Sequence, residues 1–175
     1  MLKIIRITSA VLLVACMVFV FSMSSQTAKE SSGTSGRVIT AVLKIVYPDF
    51  EDLSQTEQAE LVSSFQFIAR KGAHFSIYAV MGFLAFLTVG TYTVIPFKFR
   101  ILLSAAICLL FSISDEIHQL FISGRSGEVR DVFLDFCGSI LAIALISLFM
   151  KHTKIKFLSK HFRGDFFEKK ETDRA

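Results

Sequence analysis

Charged residues are scarce in this chain of 175 residues: they make up 19% of it, below the quarter or so that is usual in soluble domains. Apolar residues make up 53%, and the mean hydropathy is +0.57. This composition excludes a disordered chain and a basic nucleic-acid-binding domain, so no nucleic-acid partner is expected. The apolar excess must be buried, and the lipid bilayer is the partner that we expect to bury it.

Cysteine is also scarce. Cys16, Cys108 and Cys137 have no CxxC or metal-ligand spacing, which excludes a disulfide scaffold, and we expect them to be small buried residues. The chain has no HExxH motif, no glycine-rich phosphate loop and no recognisable serine–histidine–acid arrangement. The sequence therefore leaves the cofactor unknown.

Four apolar windows of about 20 residues, the length that spans a bilayer, stand out. They run over Ile7–Met23, Gly72–Gly90, Ile101–Phe121 and Val132–Met150, and Pro96 marks a turn between the second and the third. These windows predict an all-α integral membrane four-helix bundle. The predicted divisions are a first span at 1–23, an extracytoplasmic segment at 24–71, a core of three spans at 72–150 and a basic tail at 151–175.

The distribution of basic residues predicts the orientation, because positively charged loops stay in the cytoplasm. The termini and the segment between the second and third spans carry twelve of the 19 Lys and Arg residues, and the other segments carry seven. Both termini are therefore predicted to be cytoplasmic. A lipoprotein signal ending at Cys16 is the alternative for the first span, but the apolar run continues beyond that cysteine.

The extracytoplasmic segment begins with a stretch rich in serine and glycine, after which we expect two short amphipathic helices at the membrane interface. Pro48 would end the first, whose apolar residues begin at Val38. A capping box of Ser54 and Glu57 would begin the second. The tail carries five Lys or Arg residues before Asp165, a pattern that favours binding to anionic lipid on the cytoplasmic leaflet.

Several polar side chains lie inside or beside the apolar windows, where a charge costs a few kcal/mol. The start of the second span, the end of the third and the start of the fourth must lie on the same side of the membrane, so we expect their polar residues to converge. Arg125 is expected to neutralise Glu116 and Asp135. The predicted binding residues are Gln26, Lys71, His74, Tyr78, Glu116, Gln119, Arg125, Asp131 and Asp135, and the catalytic candidates are His74, Asp115, Glu116 and Asp135.

The same polar residues also have interpretations that involve no binding or catalysis. Tyr78 is also typical of an interfacial aromatic residue, and a structural ion pair would explain the buried acids equally well. A divalent metal on His74 and the acids is conceivable, but such residue sets are common by chance, so no metal is predicted. Simple exposure to solvent is the interpretation favoured for Lys71, His118, Glu128, Arg130 and Asp131.

The segments "RKGAHFSIYAVMGFLAFL" and "SISDEIHQLFISGRSGEVRDVFLDFCGSILA", together with "SSQ" after the first span, resemble the VanZ-like family. The chain departs from the family pattern at Ala142, where a second glycine is frequent, and at Phe136 and Cys137, where a polar residue is frequent. The positions that the resemblance carries over are Gln26, Lys71, His74, Phe75, Tyr78, Asp115, Glu116, Gln119, Phe121, Gly124, Arg125, Asp131, Asp135 and Gly138.

The resemblance implies a multi-pass protein of the bacterial cell membrane, plasma or inner, that contributes to resistance to glycopeptides of the teicoplanin type. Three hypotheses remain open for its action. The site engages a lipid-linked precursor or glycolipid head group, with Arg125 holding a phosphate or carboxylate. Alternatively, the protein is a hydrolase or transferase of envelope lipid head groups, with Glu116 or Asp115 as base and His74 as acid. A transporter or channel is the least favoured, because no repeated half is visible.

Overall fold

The computed structural model describes residues 2–92 and 94–152. In these ranges there are five α-helices, one 3-10 turn at Phe50–Asp52 and no strand. The helices are α1 (Leu2–Ser24), α2 (Ala28–Val46), α3 (Gln55–Gly90), α4 (Phe97–Gln119) and α5 (Val129–His152). All except α2 are long and apolar enough to cross a membrane, so the predicted all-α membrane bundle with four spans is confirmed.

The distribution of side chains is that of a membrane-embedded protein. Large apolar residues such as Leu102, Leu110 and Leu145 are more than half exposed on the outer faces of the helices, whereas Asp115 and Asp135 are fully buried between them. Apolar outer faces of this extent need a lipid surround, since soluble monomers rarely expose large contiguous apolar patches.

The longest helix, α3, has 36 residues and joins two elements that the sequence predicts to be separate. The capping box of Ser54 and Glu57 is confirmed at its start, but no second short helix ends before the second span. Arg70 and Lys71 interrupt the apolar window without interrupting the helix, because both residue types have high helix propensity. At about 1.5 Å per residue α3 is about 54 Å long, well beyond the roughly 30 Å of a hydrocarbon core.

Helix α2 begins earlier than predicted, because the stretch rich in serine and glycine is itself helical. A second capping box, formed by Thr27 and Glu30, starts it, and its T-x-x-E pattern is visible in the sequence. On α3, Gln66 donates from Nε2 to the Ser32 carbonyl oxygen and to Ser35 Oγ, both at 2.6 Å. Helix α2 ends at Val46, before Pro48, as predicted.

Helix α3 packs against each of the other four α-helices. One apolar cluster joins Leu13 and Val20 of α1 to Met81 and Ala85 of α3, and another joins α3 to α4 and α5. The expectation for the cysteines is confirmed for two of them, since Cys16 and Cys108 are buried; the third, Cys137, is half-buried.

Two glycines bring α3 and α5 into close contact. A Cβ at Gly138 would overlap the carbonyl oxygen of Phe75, and one at Gly82 would overlap the backbone of Ser139. Small residues at Gly138 and Gly82 therefore allow the backbones of α3 and α5 to approach closely. This approach places the helical turn of α3 that carries His74 against the turn of α5 that carries Asp135.

At the opposite end of the bundle, two arginines hold the connection between α3 and α4. Arg6 donates to Thr91 Oγ1 and to the Thr91 carbonyl oxygen, both at 2.9 Å. Arg100, which is 2% exposed, donates to the carbonyl oxygens of Ile95 and Gly90 at the end of α3. Helix α4 starts after Pro96, as predicted. The predicted basic tail lies outside the described residues except for the backbone of 151 and 152, where α5 ends.

Replacing Gly138 with alanine should lower the free energy of unfolding by about 1–3 kcal/mol, because the new methyl group would push α5 away from the Phe75 carbonyl. Gly33→Ala in α2 is the matched control: no atom lies within 4 Å of its Cβ position, so alanine should be neutral or stabilising there. Unfolding of both variants in detergent measures the difference, and equal stability would contradict the close approach of α3 and α5.

Candidate functional site

Seven side chains from four helices meet at the end of the bundle where α1 and α4 finish and α5 begins. We call this group the polar cluster. Most of its members are almost fully buried, and His74 is the most exposed, at 23% of its side chain. The polar cluster consists of Ser24, His74, Tyr78, Asp115, Glu116, Gln119 and Asp135.

Asp115 lies at the centre of the polar cluster. Its Oδ2 accepts a hydrogen bond from Ser24 Oγ at 2.9 Å, with Tyr78 Oη and Gln119 Nε2 each at 3.4 Å. Its Oδ1 is buried without a hydrogen-bond partner among the residues that the structure describes. Helices α1, α3 and α4 are therefore connected through one carboxylate oxygen, and the second oxygen of the same group is left over.

His74 and Asp135 form a contact between α3 and α5. The His74 Nδ1 lies 3.5 Å from Asp135 Oδ1, within ion-pair range but without hydrogen-bond geometry. Neither oxygen of Asp135, a fully buried residue, has a hydrogen-bond partner in the described part of the chain. Of the two side chains, that of His74 is partly exposed and that of Asp135 is fully buried. Only His74 could therefore contact a ligand directly.

Glu116 is held by neutral donors and not by the arginine that the sequence suggests. Its Oε2 accepts from the backbone N–H of Glu128 at 2.8 Å, and its Oε1 accepts from Gln119 Nε2 at 3.1 Å. A Cβ at Gly127 would overlap the Glu116 carbonyl oxygen, so a glycine is needed where the loop folds back.

The prediction that Arg125 neutralises Glu116 and Asp135 is wrong at the level of direct contacts, since within residues 2–92 and 94–152 it makes no ion pair. Its Nε donates to the Gln26 carbonyl oxygen at 3.1 Å, and its other nitrogens lie 3.4 Å from Gln119 Oε1 and the Met23 carbonyl oxygen. The physical reason is that the chain leaving α1 presents the carbonyl oxygens of Met23 and Gln26, which have no acceptor role inside the helix, and the guanidinium supplies donors to them. Partial burial and the charge of Arg70 lower the pKa of Arg125.

Four other residues lie where the sequence alone could not place them. Lys71 and Asp131 form a partly buried ion pair between α3 and α5, so neither is simply exposed to solvent. Tyr78 is fully buried, and its interpretation as an interfacial aromatic residue is therefore wrong. His118 turns away from the polar cluster, stacks on Phe21 with ring centroids 4.0 Å apart, and lies 3.0 Å from Ser25 Oγ.

A cavity of about 400 Å³ borders the polar cluster between α1, α2 and α3. Its walls are largely apolar, with Phe19, Val20 and Ile77 among them. The polar lining includes Ser24, Gln26, Arg70, His74 and Arg125. A smaller cavity of about 60 Å³ shares Arg70, His74 and Arg125 and extends along the loop before α5. The arrangement combines an apolar chamber with a basic end, which suits an amphiphile that carries an anionic group.

The polar cluster also has the residue types of a cation site. Asp115, Glu116 and Asp135 each offer one carboxylate oxygen, and the three oxygens lie within 4.8 Å of one another. Oxygen ligands of this kind suit hard divalent cations.

Two residues of the site are missing from the sequence-based prediction. Ser24 lies within the "SSQ" segment but is not singled out there, because a lone serine after an apolar run is common. Arg70 begins the "RKGAH" segment, and only the packing of α2 against α3 reveals that it borders a cavity.

Comparison with known proteins gives one family. The VanZ/LLP1 family model matches residues 9–150, a range that contains every residue of the polar cluster. No curated protein and no solved structure matches this chain.

Replacing Ser24 with alanine should destabilise the protein by about 1–3 kcal/mol, because it removes a buried hydrogen bond to a carboxylate. Ser22→Ala on the same helix is the control: Ser22 is exposed and donates to the Val18 carbonyl oxygen of its own helix, so its loss should cost less than about 0.5 kcal/mol. Unfolding of the two variants provides the comparison. If both variants had the stability of the original protein, the central role of Asp115 in joining the helices would be wrong.

Proposed function

The chain belongs to the VanZ/LLP1 family, and we propose on that premise that it contributes to resistance to teicoplanin-type glycopeptides, or to modification of the envelope, by binding a lipid head group. The ligand class is a lipid-linked precursor or glycolipid with a phosphate or carboxylate in its head group. The cavity beside the polar cluster is the observation that carries this proposal.

The lining of the cavity supports an amphiphilic ligand. Phe19, Val20 and Ile77 offer an apolar wall that a lipid chain can enter without exposing itself to water. Arg70 supplies a positive charge at the same cavity, and no hydrogen bond or ion pair joins its guanidinium to another residue of the described ranges. An anionic head group would give that charge a partner.

Arg125 is the residue that we expect to fix the head group. Three of the five N–H groups of a guanidinium are directed to protein oxygens, which hold the Arg125 side chain in place and leave two for a ligand. A planar guanidinium binds phosphate or carboxylate through two parallel hydrogen bonds, which an ammonium group cannot reproduce. The side chain is thus positioned before the ligand arrives, and less conformational entropy is lost on binding.

The proposed orientation puts this cavity on the outer side of the bacterial cell membrane, with several passes through the membrane and both termini in the cytoplasm. The excess of Lys and Arg at the opposite end of the bundle and in the tail supports it. Binding at the outer leaflet also suits an effect on glycopeptides, which act outside the cell.

A second candidate function is a hydrolase or transferase of envelope lipid head groups. The proximity of the buried Asp135 to His74, which lines the cavity, favours it, because a nearby carboxylate stabilises the imidazolium that forms during proton transfer. Incubation of the purified protein with radiolabelled envelope lipids, with and without a chelator, separates the two candidates. A released or transferred head group would establish catalysis, and intact lipid under every metal condition would favour binding alone.

Arg125→Lys should weaken the binding of a polyprenyl phosphate to the purified protein at least about tenfold, because charge remains but the paired hydrogen bonds of the guanidinium are lost. Titration in detergent measures the affinity, and uncharged polyprenol is the control ligand. In cells, the same variant should lower the resistance to teicoplanin at equal abundance in the membrane.

Arg130→Lys is the matched control variant. Arg130 is exposed at the start of α5 and does not line the cavity. The affinity of this variant for polyprenyl phosphate, and the resistance that it gives, should equal those of the original protein. If Arg125→Lys binds polyprenyl phosphate as tightly as Arg130→Lys does, Arg125 does not hold the head group.

A further inference from the structure

Two of the three carboxylates of the polar cluster, those of Asp115 and Asp135, are short of hydrogen-bond donors among the described residues. Asp135 is fully buried, and neither of its oxygens accepts a hydrogen bond in the described part of the chain. Asp115 uses one oxygen and leaves the other, Oδ1, buried without a partner among the residues that the structure covers. A buried carboxylate oxygen without a partner is costly, and a bound cation would supply the missing partner.

Positive charge near these carboxylates is also insufficient. Lys71 is paired with Asp131, and Arg125 donates to neutral oxygens. The only ion pair to a carboxylate of the cluster in residues 2–92 and 94–152 is that of His74 with Asp135, and it requires a protonated histidine. Three acids facing one histidine leave net negative charge in an apolar bundle, where an uncompensated charge is strongly unfavourable.

The spacing of the oxygens fits a cation. Asp115, Glu116 and Asp135 bring one oxygen each within 4.8 Å of the others. Bonds of about 2.0–2.1 Å to Mg²⁺ or 2.3–2.6 Å to Ca²⁺ separate opposite ligands by about 4 to 5 Å, so the three oxygens can share one ion. The backbone N–H of Glu128 and the Gln119 amide hold Glu116 in position, as supporting groups around metal ligands do.

We propose that Asp115, Glu116 and Asp135 form a binding site for one hard divalent cation of the Mg²⁺, Mn²⁺ or Ca²⁺ class, at the border of the cavity. Ser24 and His74 line the cavity and contact two of the three acids, so the cation would lie next to the space assigned to the lipid head group. The site goes beyond head-group binding and does not depend on it, because the acids meet without any lipid.

Mn²⁺ is the probe that we would use, because its electron paramagnetic resonance signal reports free and bound ions directly. The full chain, purified in detergent without added lipid and treated with a chelator, is titrated with Mn²⁺. We expect about one saturable site per chain, displaced by Mg²⁺ or Ca²⁺, and an affinity at least about tenfold lower in Asp135→Asn.

Glu128→Gln is the matched control, since Glu128 is exposed and contributes only its backbone N–H to Glu116. It should bind Mn²⁺ as the original protein does. Asp115→Asn serves as a second test variant in case Asp135→Asn does not fold, and thermal unfolding without metal reports folding for each.

Two results would overturn the cation site: no saturable binding of Mn²⁺ by the original protein, or equal affinity in folded Asp115→Asn or Asp135→Asn. The carboxylates would then have to share protons instead. Binding of polyprenyl phosphate is measured separately, so failure of the cation site leaves the result for the head group unaffected.

Discussion

An ionisable group enclosed in an apolar bundle must find its partners inside the protein, and this constraint shapes both ends of the molecule. At the opposite end, Arg6 and Arg100 donate to backbone oxygens and a threonine around the end of α3. At the polar end, the acids of α4 receive donors from α1, α3 and the loop before α5, whereas the Asp135 carboxylate of α5 accepts no hydrogen bond from the described residues. Among the described residues, the compensation is more complete for the arginines than for Asp115 and Asp135, whose oxygens without hydrogen-bond partners are the reason for the cation site that we propose at the polar end.

Helix α3 is the element through which the fold positions the site. It contacts all four other α-helices, and at Gly138 the backbone of α5 approaches it closely enough to exclude a side chain. That approach sets the distance between His74 and Asp135. The same helix extends past the bundle, where Gln66 binds α2 and so closes one wall of the cavity. Helix α3 therefore contributes residues to the polar cluster and also holds α2, which lines the cavity beside the cluster.

The sequence predicts well what depends on hydropathy and on the alternating direction of successive spans. The four spans follow from apolar windows, and the meeting of His74, Asp115, Glu116 and Asp135 follows from the rule that alternate helix ends share a side. The continuity of α3 is missed because charge at Arg70 and Lys71 ends an apolar window, while helices tolerate charge. The partners of Arg125 are missed because the path of a loop is set by packing, which brings Arg125 to the carbonyl oxygens of Met23 and Gln26 at and just after the end of α1. The cavity could not be predicted because α2 forms part of its lining, and the composition rich in serine at the start of α2 does not indicate a helix.

The central claim is that residues distant in the sequence act on each other across α3 and α5, and a double-mutant cycle tests it most directly. The free energy of unfolding in detergent would be measured for the original protein, His74→Gln, Asp135→Asn and the double variant. Side chains in contact, as His74 Nδ1 and Asp135 Oδ1 are at 3.5 Å, should show a coupling energy of about 0.5–3 kcal/mol. Effects that add to within about 0.3 kcal/mol would mean that the two helices do not bring these residues together, and the polar cluster as described would be contradicted.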